Sequence, residues 1–142
     1  MTSDPEFRAP EGSADNYVYQ RFGRRDWRTL HDLLVFGGRA DRLVARGKSA
    51  YDADEMLRYA GKMLCIDIGE AASRLSDDLV QAHPEILFRK MREQRNFAAH
   101  RYESIDTDII WETPAESFPG DRDKIADLIE RPATEPTEAG SE

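Results

Sequence analysis

Arg95-Asn96-Phe97-Ala98-Ala99-His100-Arg101-Tyr102 places a guanidinium, a carboxamide, an imidazole and a phenol within eight residues. Arginine is permanently charged and meets phosphate oxygens with a planar fork of donors. Histidine is the side chain whose ordinary titration lies nearest neutral pH. A cation that grips phosphate beside a group that moves protons points to chemistry on a phosphodiester. On an ideal helix a separation of five residues turns Arg95 and His100 about 140° apart, so one copy of the run is an incomplete site.

Outward from this run the apolar residues recur at helical spacing. Trp27, Leu30, Leu34, Ala40, Leu43 and Val44 mark a first helix, interrupted near Gly37-Gly38 and closed by Gly47. Ser49 or Asp52 caps a long second helix with Met56, Tyr59, Met63, Ile66, Ala72 and Leu75 as its candidate core. Its small residues Gly69, Ala71 and Ala72 let a neighbouring helix come close. After a turn through Ser76-Asp77-Asp78-Leu79, Pro84 stands where a helix start tolerates a missing N–H. A third helix runs from there to about Ala99, with Leu87, Phe88, Met91 and Ala98 between basic residues. Asp106 or Thr107 opens another through Trp111 that Pro114 ends or kinks, and a last short helix carries Ile125, Leu128 and Ile129. No alternating run is long enough for a strand, so the expected fold is an all-α antiparallel bundle.

The length of 142 residues fits one domain. Residues 1–20 read as a mobile N-terminal extension in which Tyr17, Val18, Tyr19 and Phe22 are the residues able to dock. Residues 21–130 form the helical domain, and residues 131–142 a disordered acidic tail. The single cysteine, Cys65, excludes an internal disulfide and a Cys-rich metal site. Neither a signal peptide nor a membrane span is visible, so the expected location is cytoplasmic, with no membrane partner. The net charge of −8 is unhelpful for nucleic-acid binding, but the two ends carry much of it, leaving −3 on residues 17–130. Around the motif Arg89, Lys90, Arg92, Arg95 and Arg101 outnumber Glu93 and Glu103, a local positive field on an acidic body.

Further features stand in a telling order: Ile68-Gly69-Glu70-Ala71-Ala72-Ser73-Arg74-Leu75, then Pro84-Glu85-Ile86, the eight-residue run, Ile105-Asp106 and Trp111. From about Asp26 to Ile129 the chain resembles the HepT-like branch of the HEPN families, whose signature is R-x4-H-x-Y. The resemblance implies a symmetric homodimer in which two motifs meet in a composite cleft. It also implies a metal-independent endoribonuclease, the toxin of a HEPN/MNT toxin-antitoxin pair, that cleaves tRNA or mRNA through a 2',3'-cyclic phosphate without cofactor or metal. In that reading His100 moves protons, Arg95 stabilises the phosphorane, Asn96 orients His100 or substrate, and Arg92 and Arg101 bind RNA. A nucleotidyltransferase antitoxin neutralises the toxin by adenylylating Tyr102. Arg101 departs from the small residue common between the motif's His and Tyr, and the N-terminal extension is atypical.

Plainer roles stand beside these. Arg95 pairs with Glu70 across two helices, Tyr102 packs or binds substrate, and Glu70 and Trp111 are structural. His31 and His83 are surface or locally bonded residues. A non-catalytic HEPN module that binds a nucleotide or a protein through the same Arg and His is the alternative, and a helical dimer scaffold is the third.

Overall fold

The side-chain oxygen of Asn16 accepts from the backbone N–H groups of Val18 and Tyr19, capping helix α1 (Tyr17–Phe22). Gly23, at φ 100°, turns the chain into α2 (Arg24–Ala45), and Gly47, at φ 91°, does the same between α2 and α3 (Lys48–Ala53). The helices α4 (Glu55–Ser73), α5 (Asp77–Ala82), α6 (Phe88–His100) and α7 (Thr107–Glu112) follow. A π-helical turn, Thr113–Ser117, leads into α8 (Phe118–Ile129). The computed structural model describes residues 15–100 and 107–133, and of Ala99 and His100 the backbone alone. Among the described residues there is no strand, and the fold is the expected all-α bundle.

The central helix is α4, which packs on α2 along one side and on α6 along the other. Leu30 and Leu33 of α2, Ile68, Ala71 and Ala72 of α4, Phe88 and Met91 of α6, and Phe118, Ile125 and Leu128 of α8 make one buried cluster. Each large side chain among them contributes about 1.5–3 kcal/mol by leaving water. Buried polar groups tie the helix ends together. Asp26 accepts from the Ser76 backbone N–H (3.0 Å) and hydroxyl (2.5 Å), and Ser76 in turn caps α5. Asp121 of α8 accepts from the N–H of Leu87, just before α6.

Several expectations are corrected. The Gly37-Gly38 pair does not interrupt α2: a Cβ at Gly37 would lie 2.5 Å from Cδ of Arg122, so Gly37 admits the α8 side chain, which donates to its carbonyl at 3.3 Å. The long second helix is two helices, because Asp54 leaves the helix and caps α4 through the N–H of Met56. Met56, Tyr59 and Met63 are half or more exposed, not core. The third helix starts at Phe88 rather than Pro84.

Pro114 neither ends nor breaks its helix. Without an N–H it cannot bond the carbonyl of Ile110, and the chain widens into the π turn. That carbonyl lies 3.8 Å from the buried thiol of Cys65, which donates to it.

At the N-terminal side the residues read as able to dock, Tyr17, Val18, Tyr19 and Phe22, do pack on the core. Val18 is fully buried, the N–H of Tyr17 donates to the carbonyl of Arg131 (2.8 Å), and Asn16 forms a bridge with Pro132. Residues 15–20 and 131–133 thus belong to the packed domain, while residues 1–14 and 134–142 lie outside the described residues. His83, expected at the surface or locally bonded, is buried and bonded. With Nδ1–H donating to Glu85 (3.2 Å), Nε2 accepts from the hydroxyl of Tyr17 (3.0 Å). His31 meets the Trp27 ring edge-on, with centroids 4.2 Å apart, and burial lowers its pKa.

Candidate active site

The site begins with a glycine. A Cβ at Gly69 would lie 2.0 Å from Cβ of Arg95 and 2.7 Å from the carbonyl oxygen of Met91, distances no side chain tolerates. The absent side chain therefore lets the backbones of α4 and α6 approach until Arg95 rests on α4. Phe88, Met91 and Ala98, which share the face of Arg95 at helical spacing, are buried. Gln94 accepts from the Thr113 hydroxyl at 2.7 Å, which locks α6 to the π turn.

On this scaffold Arg95 donates to Glu70 (3.3 Å) and to the side-chain oxygen of Asn96 (3.2 Å). The pairing with Glu70 is the one expected, and a third of the Arg95 side chain remains exposed. The guanidinium is thereby aimed without being buried. Solvent screening keeps an ion pair at this exposure to about 0–1 kcal/mol, so Glu70 orients Arg95 more than it stabilises the fold.

Arg92 lies one turn earlier and is used otherwise. Its Nε donates to the carbonyl of Ala72 (3.0 Å), which also accepts from the N–H of Leu75 (3.3 Å), and its terminal nitrogen to the carbonyl of Leu75 (3.4 Å), just past the end of α4. No sequence signal separates it from its basic neighbours.

His100 is the last residue of α6, so the helical count of five from Arg95 holds, and with it the divergence of about 140°. The structure therefore brings together Arg95, Asn96 and Glu70. The side chain of His100, and Arg101 and Tyr102 entirely, lie outside the described residues. Downstream the chain is anchored again where α7 begins. The hydroxyl of the buried Tyr51 donates to the carbonyl of Thr107 (2.8 Å), and Lys48 pairs with Asp108 (2.6 Å). Trp111 packs on Tyr51 at 4.8 Å, the structural role expected of it. Burial pushes the Tyr51 phenol up to about 12, which keeps it a donor. Among the described residues no three His, Cys, Asp or Glu side chains gather as a metal site, and no helix is long and apolar enough to cross a membrane.

The site's order matches known sequences. A "Probable ribonuclease HepT" of Thermococcus cleftensis is 34% identical over 61 residues, 43% of this chain and 56% of that protein. Two proteins of Methanocaldococcus jannaschii, each named "Putative RNase", are 31% identical over 62 residues and 30% over 66, covering 44% and 46% of this chain and 51% and 61% of their own. The matched stretch thus spans a little over half the length of these relatives. No solved structure matches the chain significantly. The model of the ribonuclease HepT-like family matches residues 37–128, from the middle of α2 through the Arg95 run to the end of α8, and the chain belongs to that family.

Proposed function

We propose that the protein is a metal-independent endoribonuclease, the toxin of a HEPN/MNT pair acting in the cytoplasm on tRNA or mRNA. The observation that carries this reading is Arg95, aimed by Glu70 and Asn96 yet a third exposed, on the helix that ends at His100. In the reaction one His100 takes the proton of the ribose 2'-hydroxyl as its oxygen attacks phosphorus. Arg95 holds the negative charge that gathers on the phosphorane. The bond to the 5'-oxygen then breaks, and His100 of the second copy delivers a proton to that leaving oxygen. The products are a 2',3'-cyclic phosphate and a free 5'-hydroxyl. Asn96 orients Arg95 or the substrate, and Arg101 and Arg92 add positive charge, Arg92 from a guanidinium already engaged with α4.

Two copies are required because Arg95 and His100 diverge on one helix. Support for pairing comes from Met56 and Tyr59, exposed apolar residues on the face of α4 whose helical spacing leads to Glu70. Adenylylation of Tyr102 by the nucleotidyltransferase antitoxin brings phosphate beside Arg95 and Arg101, cancelling the field that attracts RNA.

The test is cleavage of RNA in EDTA by the wild type and by His100→Ala, with the ends identified. Cyclic phosphate ends are expected, and His100→Ala should lose about 10²- to 10⁴-fold in rate while remaining a dimer by light scattering. Tyr102→Phe should cleave normally and escape the antitoxin. Activity that disappears on chelation and returns with magnesium, or full activity in His100→Ala, would refute the mechanism. The latter outcome would favour a HEPN module that only binds nucleotide or protein.

A further inference from the structure

The flank of α4 that faces α2 carries an open groove of ≈ 360 Å³. Its α2 wall is a row of exposed arginines, Arg39, Arg42 and Arg46. The spacing of three and then four residues puts them on one face of the helix, over a rise of roughly 10 Å. The floor is apolar, with Leu57 and Met63 of α4, and the groove closes at Asp67. Asp67 lies one turn before Glu70, the residue that aims Arg95.

These arginines differ from others on the surface. Arg74, Arg95 and Arg122 each pair with a carboxylate. Arg39 lies over the ring of Phe36 at 5.6 Å, and among the described residues no ion pair or hydrogen bond takes up Arg42 or Arg46. Charges on a flat helix face are ordinarily just solvated. Here they line a concavity, and Asp67 reports its character: burial first, then the neighbouring Glu70, raises its carboxyl pKa. Aligned cations over an apolar floor, on a chain of net charge −8, suit a polyanion that also has flat apolar faces. Single-stranded RNA offers both, phosphates for the arginines and bases for Leu57 and Met63.

We propose that the Arg39-Arg42-Arg46 groove is a second RNA-binding site, which holds a single-stranded stretch of substrate away from the scissile phosphate and leads it across α4 toward Arg95. The choice of RNA as occupant rests on the ribonuclease reading; the charge and shape of the groove do not.

The full-length chain and its Arg42→Glu/Arg46→Glu variant are compared for binding of a 2'-O-methyl oligonucleotide, which lacks the nucleophilic hydroxyl, and for cleavage of long RNA. An Arg21→Glu/Arg25→Glu variant, with one change in α1 and one at the start of α2, matches the change in net charge. The groove variant should bind at least tenfold more weakly, with a salt dependence shallower by about 1.4 in logarithmic slope for two lost phosphates. Its KM on long RNA should rise at unchanged kcat, and Asp67→Asn should bind more tightly than wild type.

Affinity and salt slope equal to wild type would overturn the proposal, as would an equal loss in the Arg21→Glu/Arg25→Glu control. Arginine-dependent capture of polyglutamate with no binding of the oligonucleotide would overturn it in favour of an acidic protein partner. A wild type that binds the oligonucleotide through these arginines but cleaves nothing refutes the ribonuclease and leaves the groove. Cleavage undiminished by the double reversal refutes the groove and leaves the ribonuclease.

Discussion

Arg92 and Arg95 stand one turn apart on the same helix, and α4 treats them in opposite ways. Arg92 meets the end of α4, and its donors are consumed by backbone carbonyls. Arg95 meets α4 over Gly69, its acceptors are the exposed Glu70 carboxylate and the Asn96 side chain, and it stays accessible. Identical chemistry becomes scaffold or site according to which part of the neighbouring helix lies beneath it. Backbone carbonyls fix a guanidinium in place, whereas a half-exposed carboxylate holds it only weakly.

The severest way to break this contrast is Gly69→Ala. The new methyl group collides with Arg95 Cβ and the Met91 carbonyl, so α4 and α6 must separate. Overpacking of this kind costs about 1–3 kcal/mol. Chemical denaturation should show a loss in that range, and both arginines should be displaced. An unchanged midpoint would mean that the helices do not cross as closely as described.

A paired substitution sharpens the contrast. Arg92→Ala removes two hydrogen bonds to backbone carbonyls at the end of α4 and should lower stability by about 1–2 kcal/mol with little effect on cleavage per folded molecule. Arg95→Ala should do the reverse, keeping stability within about 1 kcal/mol and losing most cleavage. Measured together by urea unfolding and RNA cleavage, equal effects of the two variants on both readouts would erase the distinction.

The smallest expected effect is at the opposite end of α6, where Asp121 accepts from Leu87. Burial, the larger influence, raises the Asp121 carboxyl pKa, only partly offset by the hydrogen bond from Leu87 and by Lys124 and Lys90. A carboxyl whose folded pKa is raised favours the folded state below its unfolded value and loses that advantage as pH rises through the folded value. Asp121→Asn, which keeps an acceptor for Leu87, should therefore compare better with wild type at pH 7 than at pH 3. A difference in stability that is flat with pH, followed by thermal unfolding, would show that the carboxylate carries no burial cost.

Helical period made the bundle legible, and Gly69 with its small neighbours marked the crossing of α4 and α6. The pairing of Arg95 with Glu70 was legible as well, since a carboxylate beside that crossing has few other cations within reach. Periodicity reveals that a stripe is apolar but not whether anything covers it, which is why Met56, Tyr59 and Met63 read as core and stand in solvent. Pro114 read as a stop or a kink, and the π turn it takes part in was not legible because the sequence does not show that a thiol 49 residues earlier lies beside the carbonyl it leaves unbonded. His83 is locally bonded to Glu85, as read, but its burial against Tyr17 was not legible, that partner being 66 residues away. The use of Arg92 as a cap depends on where α4 ends in space, which no local pattern encodes.

The contact between Cys65 and the carbonyl released by Pro114 also turns the protein into its own clock. Its one sulfhydryl is buried, and burial pushes its pKa up to about 11, so the closed protein offers an alkylating reagent almost no thiolate. Modification must wait until α4 and α7 part. The pace of labelling therefore counts those partings directly, without an introduced probe, and comparing it with and without RNA would show whether substrate braces the helices or pries them open.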